Sequence, residues 1–201
     1  MDPIVTIDGR RQALVRHLYG LHQALGSGNP QRSAEARRTL ARLRRAFAGR
    51  QQEAEAYDVV FPHDPPVEEQ ELWLLVAGLF ALHPHADNAR RRSIGGAMRL
   101  LVADRPSAAR RFTQLLSVDP AAMPHYLRQT IQLLRSDGIS VDYQLLLADL
   151  VKMHSSREEA HRVRLRWARD YHRPNRQPTS QNTETTEPEL TEEADVEPVD
   201  A

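Results

Sequence analysis

Arginine is the residue type through which this chain could do chemistry. It has 26 arginines against a single lysine, Lys152. A guanidinium is a planar fork of donors that stays charged and matches phosphate oxygens in pairs, so the chemistry on offer is recognition of phosphate rather than bond cleavage. The bias has two readings, genomic base composition and selection for phosphate, and composition alone does not separate them. Placement says more. At about 100° per residue, Arg38, Arg42 and Arg45 fall about 140–200° away from Leu40, while Leu43 and Phe47 fall beside it. The same test puts Arg92 and Arg99 together, opposite Ile94, Met98 and Leu101. It puts Arg110 opposite Phe112, Leu115 and Leu116, and it gathers Arg162, Arg166 and Arg169 on a flank beside Val163, Trp167 and Tyr171. Arg128 is a further candidate on the same helix geometry. The competing reading is a solvated face with no partner. It suits any one arginine well and the recurring set less well, because acidic residues are sparse on these faces. Such faces would follow phosphates without reading bases, and binding would weaken with salt.

Other chemistries lack their residues. Cysteine is absent, which removes disulfides and thiolate zinc sites. His83-Pro84-His85 with Asp87 holds ligand-type residues, but the proline breaks a common helical face, so a connecting loop is the better reading. His17 and His22 are five apart and do not align on a helix. His63-Asp64 sits in a proline loop without a second histidine cluster to pair with. Gly95-Gly96 matches neither phosphate-loop pattern and reads as a place of close helix contact. There is no Gly-x-Ser-x-Gly elbow and no carboxylate pair for two-metal hydrolysis. No catalytic residue, metal or cofactor is therefore expected. Trp73 and Trp167 fall on apolar stripes and read as core. Aromatics are only 5% of the chain, too few for a surface that stacks bases.

The elements that must carry these arginines are helical by periodicity. Leu14, Leu18, Leu21 and Leu25 repeat in a 4-3-4 spacing that predicts a helix over 10–25. Gly26-Ser27-Gly28-Asn29-Pro30 ends it and opens a second helix to about Ala48, with Ala36, Leu40, Leu43 and Phe47 inward. A short piece covers 52–60, and Phe61-Pro62-His63-Asp64-Pro65-Pro66 is a rigid loop. Leu72, Leu75, Val76, Leu79 and Phe80 form a wide apolar face and predict a central helix from Glu68, ended by His83-Pro84. Further helices are expected over 88–102, 107–116, from Asp119 as cap to Ser136, 142–154 and 157–171, with Gly138 supplying a left-handed turn. The fold class is all-α: two packed helical-bundle subdomains, divided as 1–66 and 67–173, the boundary falling near 61–67 or near 103–106.

The formal net charge of zero conceals a division. Residues 1–176 hold all 27 basic and 19 acidic residues, a charge of +8; residues 177–201 hold eight acidic residues and no basic one. A basic body attracts polyanions. The tail, 174–201, is expected to be disordered, and reads as a solubiliser or as a mimic of phosphate. The longest apolar run, Leu72 to Leu82, is too short to cross a bilayer, and no secretory leader is evident at the N-terminus, so a cytoplasmic protein without a membrane partner is expected.

Four segments carry a resemblance. Ser93-Ile94-Gly95-Gly96-Ala97, Arg110-Arg111-Phe112-Thr113-Gln114-Leu115-Leu116, Gly138-Ile139-Ser140-Val141-Asp142-Tyr143 and Arg166-Trp167-Ala168-Arg169-Asp170-Tyr171 follow in that order. Together they resemble the CasB family, the small subunit of the type I-E CRISPR surveillance complex Cascade, over roughly residues 10–173. The resemblance implies a helical, non-catalytic protein that assembles in two copies beside the crRNA-bearing backbone subunits and the large subunit. There it would support the R-loop, holding the displaced strand while base pairing supplies specificity. It transfers a backbone-contact role to Arg110 first. Arg111 sits nearer the apolar flank, where a structural role is the alternative, and Arg169 has Asp170 or a neighbouring helix as alternative partners. The acidic tail and the near-absence of lysine have no match in the family. Two readings from other classes stand beside this one. A helical scaffold contacting only protein would bind no DNA at low salt. A helix-turn-helix regulator would need a base-reading helix after a tight turn, and none is evident.

Overall fold

The structure, a computed structural model, describes residues 6–48, 50–86 and 91–173. It is all-α, and no strand occurs among the described residues. The helices are α1 (Ile7–Leu25), α2 (Pro30–Arg45), α3 (Arg50–Glu53), α4 (Tyr57–Val60), α5 (Gln70–Leu82), α6 (Ile94–Asp104), α7 (Ala109–Ser117), α8 (Met123–Ser136), α9 (Tyr143–Ser155) and α10 (Arg157–Tyr171). Short 3-10 turns join several of them.

The boundaries follow capping chemistry. Thr6 accepts from the Gly9 N–H and Asn29 from Gln31 and Arg32, so α1 starts three residues earlier than its leucine stripe predicts and α2 starts at Pro30. The helix expected from residue 88 begins instead at Ile94, because Ser93 Oγ accepts from the Gly96 N–H and caps it there; 87–90, Asp87 among them, lie outside the described residues. Asp119 makes no side-chain cap bond; its backbone carbonyl accepts from Ala122 and Met123, and a Pro120–Ala122 turn leads into α8. Gly138 ends α8 at φ 64°, with the Ile139 N–H reaching back to Leu134 O at 2.9 Å, the turn that its glycine predicts.

Helix α5 is apolar nearly all round and is the hub of the molecule. It packs on α2, α8 and α9, with α1 and α4 alongside. One continuous apolar core takes in Leu14 and Leu18 of α1, Leu40 and Leu43 of α2, Leu79 and Phe80 of α5, and Leu127, Leu147 and Trp167 beyond them. Trp73 and Trp167 are fully buried, as their stripes predict. Helices α6 and α10 approach closely: a Cβ at Gly95 would lie 1.9 Å from the Trp167 carbonyl oxygen, so the glycine is what lets these helices touch. The expected tail, 174–201, lies outside the described residues.

Candidate nucleic-acid interface

The core determines where each arginine goes, since a helix whose apolar stripe is buried must turn its other face outward. The eleven candidates meet four kinds of surroundings.

Arg38, Arg110, Arg111 and Arg169 are exposed and make no hydrogen bond or ion pair among the described residues. Arg110 and Arg111 precede buried Phe112 on α7, and Arg169 stands in the last turn of α10. Arg111 is therefore on the surface with Arg110.

Arg42, Arg45, Arg162 and Arg166 pair with carboxylates. Arg42 donates to the Glu55 carbonyl at 2.9 Å and to Asp58 at 2.6 Å, and Arg45 to Glu55 at 2.6 Å. The α3–α4 segment thus folds back over part of the three-arginine face of α2. Arg162 bonds Glu159 one turn away on α10. Arg166 reaches the buried Asp149 carboxylate, which also accepts from Trp167 Nε1–H at 2.6 Å. Burial raises the Asp149 pKa, and the two donors only partly offset it. Arg166 therefore binds α9 to α10, an internal duty.

Arg92 and Arg99 donate to backbone carbonyls, of Ser140 at 3.3 Å and of Arg173 at 3.2 Å. Both are half-buried and fasten α6 to its neighbours while keeping part of their surface outward. Arg128 lies 5.1 Å from the centre of the Phe47 ring, a cation–π contact between α8 and the end of α2.

Sequence periodicity missed Arg37 and Arg44, which extend the exposed side of α2 around Arg38, and Arg91, exposed at φ 59° just before α6. Helix periodicity holds the signal for the first two, while Arg91 lies on no helix.

The histidines have structural surroundings. His83 Nε2 meets Ile139 O at 2.9 Å, and His85 takes the Val141 N–H at 3.4 Å, so the His-Pro-His loop seats the α8–α9 connection. His63, which the sequence left without a histidine partner, has one: His17 Nδ1 is 3.0 Å from its Nε2, because the proline loop folds back along α1. Arg10 holds the same loop through Asp64, itself at φ 51°. Among the described residues no three carboxylates and histidines gather to hold a metal ion. No helix there is long and apolar enough to cross a membrane.

Comparison with known proteins agrees with this architecture. The family described as CRISPR-associated protein Cse2 matches residues 39–172. The fold is similar to CasB from Thermobifida fusca, with a TM-score of 0.64 at 27% identity, covering 84% of this chain and 99% of that one. It is also similar to a Cse2-family CRISPR-associated protein from Thermus thermophilus, with a TM-score of 0.59 at 28% identity over 78% of this chain and 96% of that one. A chain of a CRISPR RNA-guided surveillance complex shares the fold, with a TM-score of 0.62 at 23% identity, over 83% of this chain and 92% of that one. A comparison with curated proteins found no match. The Cse2 match spans more than half of the sequence, and it covers the exposed arginines of α7 and α10 together with the glycine contact between α6 and α10; the chain belongs to the CRISPR-associated Cse2 family.

Proposed function

We propose that this chain is the non-catalytic small subunit of a Cascade-type surveillance complex, and that it grips nucleic-acid backbone through arginines displayed by its helical core. It acts in the cytoplasm beside the large subunit and the crRNA-bearing backbone subunits, with a second copy of itself. Its ligand is target DNA, mainly the strand displaced when the guide pairs, which it keeps from re-annealing and so stabilises the R-loop. The observation that carries this reading is the guanidinium set Arg110, Arg111 and Arg169, exposed and unpaired among the described residues, within the region matched to Cse2. The likeness to a chain of a CRISPR RNA-guided surveillance complex supports the assembly.

The test is Arg110→Ala with Arg111→Ala in the assembled complex, read as retention of opened duplex and as single-strand affinity across salt. Removing two phosphate contacts should flatten the slope of log K against log salt by about 1.4, since a single strand contributes about 0.7 per contact. Unchanged retention and slope, in a variant that assembles normally, would move the interface off α7.

A scaffold reading has its own supporting observation. A cleft of about 770 Å³ beside α5 has an apolar floor that includes Leu72 and Leu75, and Glu53, Glu68 and Glu71 on its rim. Those carboxylates repel phosphate, so this side of the molecule suits protein. Absence of DNA binding by the free subunit and by the complex at low salt would favour that reading alone.

A further inference from the structure

We propose that the acidic stretch 184–200 of this chain binds back onto the arginines around the C-terminal end of α10 and competes there with nucleic acid. The competition rests on the phosphate-binding role proposed above; the contact itself does not.

The first support is where the described chain ends. Arg99 Nη1 donates to the carbonyl of Arg173, the last described residue, at 3.2 Å. Two residues earlier the Tyr171 ring stacks on Phe112 of α7, 4.4 Å between centres and 27° between planes. Ser93 Oγ–H donates to the Asp170 carboxylate at the start of α6. The end of α10 is thus held between α6 and α7, and residue 174 sets out from that junction.

The second is the charge around the junction. Arg110 and Arg111 adjoin Phe112, and Arg169 and Arg173 adjoin Tyr171; all four guanidinium groups are exposed and unpaired among the described residues. Two carboxylates of the neighbouring elements already have donors. Asp170 accepts from Ser93, and Asp142 accepts from the backbone N–H groups of Arg91 and Leu145.

The third is the chain that follows. Residues 177–201 contain eight acidic residues and no basic one. The first, Glu184, is eleven residues beyond Arg173, a reach of at most about 40 Å. That exceeds the roughly 22 Å length of the 15-residue α10, so the carboxylates reach every arginine at the junction. A guanidinium fork accepts carboxylate as it accepts phosphate. Tethering makes the encounter intramolecular, so pairs too weak to hold a free peptide still occupy the surface. Screening over about 10 Å at 0.1 M salt makes the contact salt-sensitive.

The chain has no cysteine, so Leu190→Cys in the full-length protein takes a single spin label. At 50 mM salt the label should broaden backbone amide resonances near 110–112 and 169–173 and spare those of α2, and 500 mM salt should restore them. In parallel, a full-length variant with the eight tail carboxylates changed to amides should bind single-stranded DNA about five- to ten-fold more tightly at 50 mM salt. That advantage should vanish at 500 mM. No broadening at low salt, or broadening of α2 to the same extent, overturns the contact. Broadening with equal DNA affinities overturns the competition. If neither protein binds DNA, the phosphate-binding role fails, and the label still decides whether the tail is seated.

Discussion

Arg166, bonded to a buried carboxylate, and Arg110, exposed on α7, have different surroundings, and a substitution tells them apart. Arg166 completes the hydrogen bonding of Asp149, which burial already pushes toward its protonated form. Asp149→Ala leaves the Trp167 N–H buried without an acceptor and Arg166 without its anion, and should cost about 3 kcal/mol in urea unfolding. Arg110→Ala removes an exposed side chain with no partner among the described residues, so its unfolding midpoint should stay within about 0.5 kcal/mol of the parent. If Arg110→Ala destabilises as much as Asp149→Ala, the division of duties is wrong. The His17–His63 pair gives a pH test. Desolvation holds both imidazoles below their ordinary value, with the charge of His17 adding to the effect at His63. The unfolded chain then binds more protons near pH 6, so the pair's contribution is present above about pH 6.5 and is lost as pH falls below it. His17→Gln with His63→Gln should shrink the drop in urea midpoint between pH 7.5 and 5.5; an unchanged drop would show that the pair does not titrate with folding.

At the scale of elements, the contact of α6 with α10 leaves no room for a side chain at Gly95. Gly95→Ala drives a Cβ into the Trp167 carbonyl, an atom that cannot rotate away, and should cost about 3 kcal/mol or more. Gly20→Ala is the control: nothing lies within 4 Å of its Cβ site in the exposed face of α1, and helix propensity there should add about 0.5–1 kcal/mol of stability. Thermal melts of the two variants should move in opposite directions. A Gly95→Ala melt that rises would mean that α6 and α10 stand farther apart.

For the whole molecule, charge is divided by position. Exposed arginines occupy α2, α7 and the end of α10, while Glu53, Glu68 and Glu71, unpaired among the described residues, line the cleft beside α5. On the reading proposed above, a polyanion is attracted to the arginines and repelled by these carboxylates, with field rather than base contacts deciding the orientation. Affinity for single strands of different sequence should therefore agree within about three-fold while falling steeply with salt. Filter binding of several homopolymers at 50 and 200 mM salt measures both, and a strong preference that survives 200 mM would point to base reading.

Much of the fold was legible because helices announce themselves locally. The 4-3-4 leucine spacing of α1, the all-round apolar run of α5 and Gly138 each state their conformation within a few residues. The four motif segments likewise pointed to the family. Outward direction of the arginine faces also followed from periodicity, since burying one stripe exposes the other. What periodicity could not say is which outward arginines meet a carboxylate from a distant part of the chain. Arg42 and Arg45 meet Glu55 and Asp58 across a turn, Arg166 meets Asp149 across two helices, and His17 meets His63 some 46 residues away. Those partners depend on how helices dock, because ion pairs and hydrogen bonds act over a few ångströms of space and are indifferent to separation along the chain. The sequence alone therefore determined the helices, their inner faces and the charge of the body. Only the docking of these elements on one another decided which guanidinium groups meet a carboxylate and which stay exposed.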